Sequence, residues 1–318
     1  MANIKLSDEV QALLTQLKAA SKNEISLDIG EEKAGFVRYD QSYQTRDQKR
    51  LVIHVKDVTA LDYTLSHELL HALMDTQGFP TIQFNLTSGH KDFDEQLMLM
   101  TTALYDTATH LYIYDWQRQH GLLTADVEAA YLKGVIKTIT PEANSQPDTM
   151  MHLRLMTVLD ALVFFGARFT EVEAQFKRDY PLTLAGAKQI YAQLTEKKTN
   201  SPFTLRRTVV KLFAAFDRQL KDWGLATVGG NEFVTLSSVF SQRQLRLEIR
   251  QLFQITHSDV QDLKTHQRAY VGLGITDHQN AFVLPSPPKA EQDTYFKELY
   301  SLSVADFYHQ FGLAYTIR

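Results

Sequence analysis

One ten-residue segment, residues 64–73, constrains this chain more than any other. It reads Thr-Leu-Ser-His-Glu-Leu-Leu-His-Ala-Leu and contains two histidines four positions apart, His67 and His71. In an α-helix, residues i and i+4 lie on one face, one turn apart, so both imidazoles can reach the same cation. The surrounding pattern predicts a helix over residues 60–77, which ends before Gly78.

The residue after the first histidine, Glu68, completes the pattern His-Glu-x-x-His. Neutral imidazole nitrogen binds zinc at about 2.0–2.1 Å, and zinc lowers the pKa of a bound water towards about 7. A glutamate at this position reaches such a water without being a ligand, and it can accept the proton as the water attacks a carbonyl. The pattern therefore predicts Zn²⁺ bound by His67 and His71, with Glu68 as general base.

The segment resembles the extended signature of the zincin metallopeptidases, of the gluzincin-like type. Thr64 opens the motif, and only uncharged residues separate Glu68 from His71. The histidine-containing extension that metzincins add after the second histidine is absent. The resemblance covers at most the first third of the chain. It implies hydrolysis of a peptide or protein substrate with zinc as cofactor.

A catalytic zinc site needs a third protein ligand, and without cysteine it has to be a histidine, aspartate or glutamate. The predicted helix over residues 94–120 offers Asp106 and His110, four positions apart. We predict that one of them is the third ligand and that the other orients a ligand by hydrogen bonding. His110 is preferred because it reaches further, and Glu95 is the alternative. Gluzincins offer a glutamate and then an aspartate here, so this pair departs from their pattern.

Composition narrows the class of protein. The chain has no cysteine, which excludes disulfides, and 33 basic against 37 acidic residues give a net charge of −4. Nucleic-acid binding would need a clustered basic face, which is absent. No apolar run is long enough for a transmembrane helix, and residues 1–18 lack the apolar region of a signal peptide. We therefore expect a cytoplasmic protein that binds neither nucleic acid nor membrane. The oligomeric state is not predicted.

Apolar periodicity predicts an α+β fold that is mainly helical. A zincin-like metal-binding domain is expected over residues 1–121, with a small sheet and two long helices. A mainly helical domain is expected over residues 122–318. The predicted strands of the first domain are residues 24–29, 36–39 and 51–55; the second domain has predicted helices at 124–139, 150–165, 183–197, 201–223 and 241–255, and predicted strands at 269–274 and 281–284.

The predicted function is zinc-dependent hydrolysis of peptide bonds. The alternative is a non-catalytic regulatory or binding protein that keeps the zincin fold, although a structural metal site has no need of Glu68. A zinc hydrolase acting on another amide is a third possibility. A strand near residues 51–56, or its neighbour, is expected to pair with the substrate backbone, and His54 is expected to be an ordinary strand residue. The group that stabilises the oxyanion is left open among Tyr105, Tyr112, Tyr114, His152 and Arg154.

Overall fold

The computed structural model describes residues 5–143, 146–288 and 292–318. The fold is mixed α+β, with helices predominating and small sheets. Proximity of Cα atoms divides the chain into two compact units. The first unit comprises Met1–Gln77 and Thr109–Gln193, and the second comprises Gly78–Ala108 and Leu194–Arg318. Neither unit is one continuous segment, and the domain boundary expected after residue 121 stays a prediction.

The first unit contains a three-stranded sheet, and its helices precede and follow the strands along the chain. Its elements are α1 (Asp8–Ala20), β1 (Glu24–Glu32), β2 (Ser42–Arg46), β3 (Arg50–Asp57), α2 (Leu61–Thr76), the C-terminal part of α3 (Lys91–Gln119), α4 (Ala125–Thr138), α5 (Met151–Phe165), α6 (Glu173–Asp179) and α7 (Pro181–Thr195), whose last residues belong to the second unit.

The sheet of the first unit has the strand order β1-β3-β2, so β2 lies at an edge. β1 runs parallel to β3, and β2 runs antiparallel to it. Alternate residues of β3, Leu51, Ile53 and Val55, are buried, as expected for a strand with one face on the core. The prediction of a strand at residues 36–39 is wrong. The positive φ of Gly35 turns the chain there, a 3₁₀ turn follows, and the strand begins only at Ser42.

The motif helix α2 is held in place by apolar packing. Leu65, Leu69 and Leu70 are at most 1% exposed, and α1 packs against α2. The N-terminus of α1 is tied to α2 as well, because the backbone N–H of Ser7 donates to the Asp62 carboxylate at 3.3 Å. Burying each leucine side chain stabilises the fold by about 1.5–3 kcal/mol relative to exposure. The orientation of the motif histidines is therefore set by the packing on the remaining faces of the helix.

The second unit contains strands of two to ten residues, a 21-residue helix and several shorter helices. Its elements are β4 (Ile82–Gln83), β5 (Leu86–Thr87), the N-terminal part of α3, α8 (Pro202–Asp222), α9 (Gly230–Phe233), β6 (Thr235–Leu236), β7 (Ser238–Phe240), α10 (Gln242–Leu245), α11 (Ile249–Leu252), β8 (Phe253–Asp262), β9 (Arg268–Gly274), β10 (Asn280–Leu284), α12 (Gln292–Ser301), α13 (Val304–Gln310) and β11 (Tyr315–Ile317).

Aromatic packing organises the core of the second unit. Phe253, Phe282 and Tyr308 belong to one buried cluster, which lies against a sheet of strand order β10-β9-β8-β5. The predicted helix over residues 241–255 is wrong: two single-turn helices, α10 and α11, precede β8. The reason is tertiary, because β8 pairs along β9 and this pairing outweighs the local helical pattern.

Among the described residues, no helix combines the length and the apolar character needed to cross a bilayer.

Gly134 in α4 allows the segment around Val37 to approach this helix closely. Its Cα lies so near the carbonyl of Val37 that an added Cβ would overlap with that oxygen, and the Val37 N–H donates to the Ala130 carbonyl at 3.0 Å. In an exposed helix, Gly→Ala would stabilise by about 1 kcal/mol, whereas overpacking costs about 1–3 kcal/mol. We expect Gly134→Ala to lower the free energy of unfolding by about 1–2 kcal/mol, measured by urea denaturation.

The matched control is Lys133→Ala at the neighbouring exposed position of α4, which should change stability by less than about 0.5 kcal/mol. A stabilising Gly134→Ala would show that the Val37 segment does not pack against α4 in this way.

Candidate metal centre

Helix α2 places the two motif histidines on one face. The Nε2 atoms of His67 and His71 lie 3.2 Å apart, and the ring centroids lie 4.8 Å apart. Two nitrogens bound to one tetrahedral ion at about 2.0–2.1 Å lie about 3.3 Å from each other. The observed separation therefore fits two ligands of a single cation.

Helix α3 brings a third histidine to the same place. His110 offers a ring nitrogen that lies, with those of His67 and His71, in a group whose atoms are all within 4.8 Å of one another. Its ring centroid is 4.7 Å from that of His67 and 5.5 Å from that of His71. The three histidines together could hold a metal ion, and the identity of the metal does not follow from the geometry.

Burial keeps the motif histidines in the form that binds metals. Together with the charge of the nearby His110, it lowers the pKa of His67 well below the ordinary value and that of His71 to about 3. A metal binds the neutral imidazole, so competition by protons is weak at neutral pH. The Nδ1 atom of His67 is buried and has no hydrogen-bond partner among the described residues, which leaves this ring to be held by packing alone.

Asp160, on α5, orients His110. Its Oδ1 lies 2.6 Å from His110 Nδ1, while Oδ2 accepts hydrogen bonds from the hydroxyls of Tyr131 at 2.6 Å and Tyr114 at 3.3 Å. Burial alone would raise the pKa of Asp160, but His110 and the two hydroxyls hold it below its ordinary value. An ionised carboxylate only accepts, so Nδ1 of His110 donates to it, and in the neutral imidazole that binds a metal Nε2 then carries the lone pair.

Aromatic rings enclose this carboxylate–imidazole pair. Tyr131 stacks on Phe164 with 3.7 Å between ring centroids, and Tyr114 meets Phe164 edge-on at 5.1 Å. Tyr63 lies beside both Phe164 and His67. Burial raises the pKa of the Tyr131 and Tyr114 hydroxyls well above the ordinary value, so they remain hydrogen-bond donors. The low polarity of the enclosure strengthens the His110–Asp160 interaction.

The motif glutamate is 9% exposed and is held by the edge strand β2. Ser42 Oγ donates to Glu68 Oε1 at 2.7 Å, and Gln44 Nε2 donates to Oε2 at 3.0 Å and to the Glu68 backbone carbonyl at 2.9 Å. Burial raises the pKa of Glu68, and the two hydrogen bonds oppose that rise. The Glu68 carboxylate therefore has an increased proton affinity, and β2 positions both of its oxygens. In the sequence Glu68 directly follows His67.

The other downstream carboxylates are not in the histidine group. Asp106 is half-buried one turn before His110, and its role as a ligand stays a prediction. Glu95 faces Lys91, with 3.6 Å between the charged atoms. Of the residues considered for the oxyanion, Tyr114 contacts the rings of His67 and His110.

Two of the other residues considered for that role are engaged elsewhere. The Tyr105 hydroxyl donates to the Pro80 carbonyl, and Arg154 binds Asp148. His54 pairs with Asp28 at 2.8 Å.

Sequence reasoning missed Asp160, Ser42 and Gln44. A signal for Asp160 was present, because it is the only charged residue in the apolar run over residues 155–165, and aspartates are rarely buried unless paired. Ser42 and Gln44 carried no comparable signal, since serine and glutamine are common in exposed strands and the strand itself was placed too early in the chain.

The geometry distinguishes the candidates for the third ligand. We expect His110→Ala to lose the bound divalent ion that the wild-type chain retains, and Asp106→Ala to keep about one equivalent, because only His110 lies within reach of both motif histidines. The measurement is elemental analysis of chains loaded with zinc and freed of excess metal. Retention by His110→Ala together with loss in Asp106→Ala would reverse the assignment.

A second expectation concerns Asp160. Asp160→Asn keeps the shape of the side chain but removes the charge that orients His110, so we expect affinity for a divalent ion to fall about 10–100-fold. Competition with a chromogenic chelator measures this. Asp126→Asn, the same change at an exposed position of α4, is the control and should leave affinity unchanged. Equal affinities of the two variants would mean that Asp160 has only a packing role.

Comparisons with models of protein families, with curated proteins and with solved structures gave no match, so no family is assigned to the chain.

Proposed function

We propose that this chain is a zinc-dependent hydrolase of peptide bonds, in which His67, His71 and His110 bind the metal and Glu68 is the general base. The observation that carries the proposal is the combination of three converging histidines with a buried glutamate next to the first of them. A structural zinc site normally has four protein ligands, whereas a catalytic one has three and keeps a position for water. Three histidine ligands with no cysteine favour a catalytic site.

Bound zinc would supply a Lewis acid that activates water for attack on a carbonyl. The chain's own residues do the rest. Glu68 accepts the proton of the attacking water and passes it to the leaving amine. Asp160 keeps His110 in the tautomer that binds the metal. Tyr114 donates its hydroxyl proton to Asp160 and so helps to hold His110 in place.

A peptide substrate is favoured by the position of β2. This strand lies at the edge of its sheet, and its residues Ser42 and Gln44 touch the general base. An extended peptide can pair with the backbone of an edge strand, which would bring its carbonyls alongside Glu68. A helix carrying His-Glu-x-x-His beside a sheet with an antiparallel edge strand also supports the proposal of a zincin-type arrangement of the gluzincin-like kind.

One observation favours the alternative, a metal-binding protein without hydrolytic activity. Both carboxylate oxygens of Glu68 accept hydrogen bonds from β2, and only 9% of the residue is exposed. Each oxygen keeps a second lone pair for a water, so hydrolysis requires that a water can reach this buried carboxylate. A regulatory protein has no such requirement.

The test compares zinc-loaded wild-type chain with Glu68→Gln on a diverse peptide library read by mass spectrometry. We expect Glu68→Gln to keep its zinc and to hydrolyse at a rate lower by about 10²–10⁴-fold, because it cannot accept the proton. Glu95→Gln, on a glutamate that pairs with Lys91, is the matched control and should retain wild-type activity.

Full activity in a zinc-containing Glu68→Gln chain would show that Glu68 is not the general base. A wild-type chain that carries one zinc and cleaves no peptide in the library would favour the binding-protein alternative.

A further inference from the structure

The second unit contains a cavity of about 330 Å³ beside the first two turns of α8. Ligand pockets in proteins span roughly 300–1,000 Å³, so this one suits a small molecule. It is lined by residues of α8, β7, α10, α11 and β8, by the end of β9, and by the segments that follow β9 and β11. None of these residues belongs to the histidine site, and nothing in the proposed hydrolysis uses them.

The charged side chains of the lining are three arginines and one aspartate. Arg206 is paired with Asp277 at 2.5 Å, and the two side chains are only 14% and 25% exposed. Gly274 makes room for this pair, because a Cβ there would overlap with the Asp277 carboxylate. Arg206 is thus neutralised and held in one orientation.

The other two arginines have no such partner. The guanidinium carbons of Arg318 and Arg207 lie 3.9 Å and 5.9 Å from the ring centroid of Phe203, so both cations approach the same aromatic ring. Among residues 5–143, 146–288 and 292–318, neither forms an ion pair with a carboxylate. Arg318 makes one long hydrogen bond, 3.4 Å, to the neutral side chain of Gln244. The lining side chains therefore carry a surplus of two positive charges.

Backbone pairing fixes the position of one of these cations. β11 runs parallel to β7, and the Arg318 N–H donates to the Phe240 carbonyl at 2.9 Å. The remaining lining is mixed. Ser238, Gln244 and Thr276 are polar, and Phe240 and Phe253, each 4% exposed with 6.2 Å between their ring centroids, form the aromatic part. The cavity thus combines two unpaired guanidinium groups with a wall of aromatic rings.

We propose that this cavity binds a small organic anion, whose carboxylate or phosphate group is bound by Arg207 and Arg318 and whose apolar part lies against Phe240 and Phe253. Guanidinium groups match the planar, two-oxygen geometry of both anionic groups. Contact of a flat apolar group with the phenylalanine rings adds affinity that an inorganic anion does not gain.

Isothermal titration calorimetry of the 318-residue chain tests this proposal with three probes: phenyl phosphate, benzoate and inorganic phosphate. We expect saturable binding of at least one aromatic probe, about tenfold or more tighter than that of inorganic phosphate, because the ring buries apolar surface. The tighter of the two aromatic probes identifies the anionic group. Arg207→Met and Arg318→Met should each weaken that probe by about tenfold or more.

Arg218→Met is the matched control. It removes the same charge from an exposed position of the same helix, α8, outside the cavity, and should leave the affinity within about twofold of wild type. Thermal unfolding without probe establishes that each variant is folded. The proposal is overturned if no aromatic probe binds at concentrations up to about 10 mM, or if Arg218→Met weakens binding as much as Arg207→Met. Aromatic probes that bind no better than inorganic phosphate would overturn the role of the phenylalanine wall.

Discussion

The candidate site depends on one largely buried interaction, the 2.6 Å contact between His110 and Asp160, whose side chains are 11% and 21% exposed. An ionised carboxylate among aromatic rings is costly unless it is fully hydrogen-bonded, and here the imidazole and the hydroxyls of Tyr131 and Tyr114 together satisfy it. Removing one partner of such a group leaves a buried charge uncompensated, at a cost of about 3–5 kcal/mol. The same interaction therefore joins α3, α4 and α5 beside the histidines.

The remaining features of the site lower the stability of the fold but suit the site to binding a metal. Three imidazoles are packed together, burial suppresses the charged form of His67 and His71, and one ring nitrogen of His67 is unsatisfied. An unpaired buried polar atom costs about 1–3 kcal/mol. Local rules that are broken together in one place are typical of functional sites, and the leucines on the buried faces of α2 offset this cost.

The parts of the site predicted from sequence are those that depend on local geometry. Helical spacing alone brings together the two motif histidines, and His110 stood out as the same ligand type on the next long helix. Asp160 could not be placed, because its contact with His110 spans 50 residues and no periodicity links the two helices. Ser42 and Gln44 were missed because the strand was predicted at residues 36–39. The helix predicted at 241–255 failed because its last residues, 253–255, pair with the next strand of the chain, β9.

The distances along the chain between the parts of the site determine when it forms. Ser42 and Glu68 are 26 residues apart, and His110 and Asp160 are 50 apart, so the contacts form only after large loops have closed. An arriving cation would then meet a chain that has already folded, unlike a zinc finger, whose folding needs the ion. Its effect on stability would grow with the free metal concentration, as for any ligand that binds the native state alone. The metal would therefore bind after the chain has folded, to an extent set by the free metal concentration.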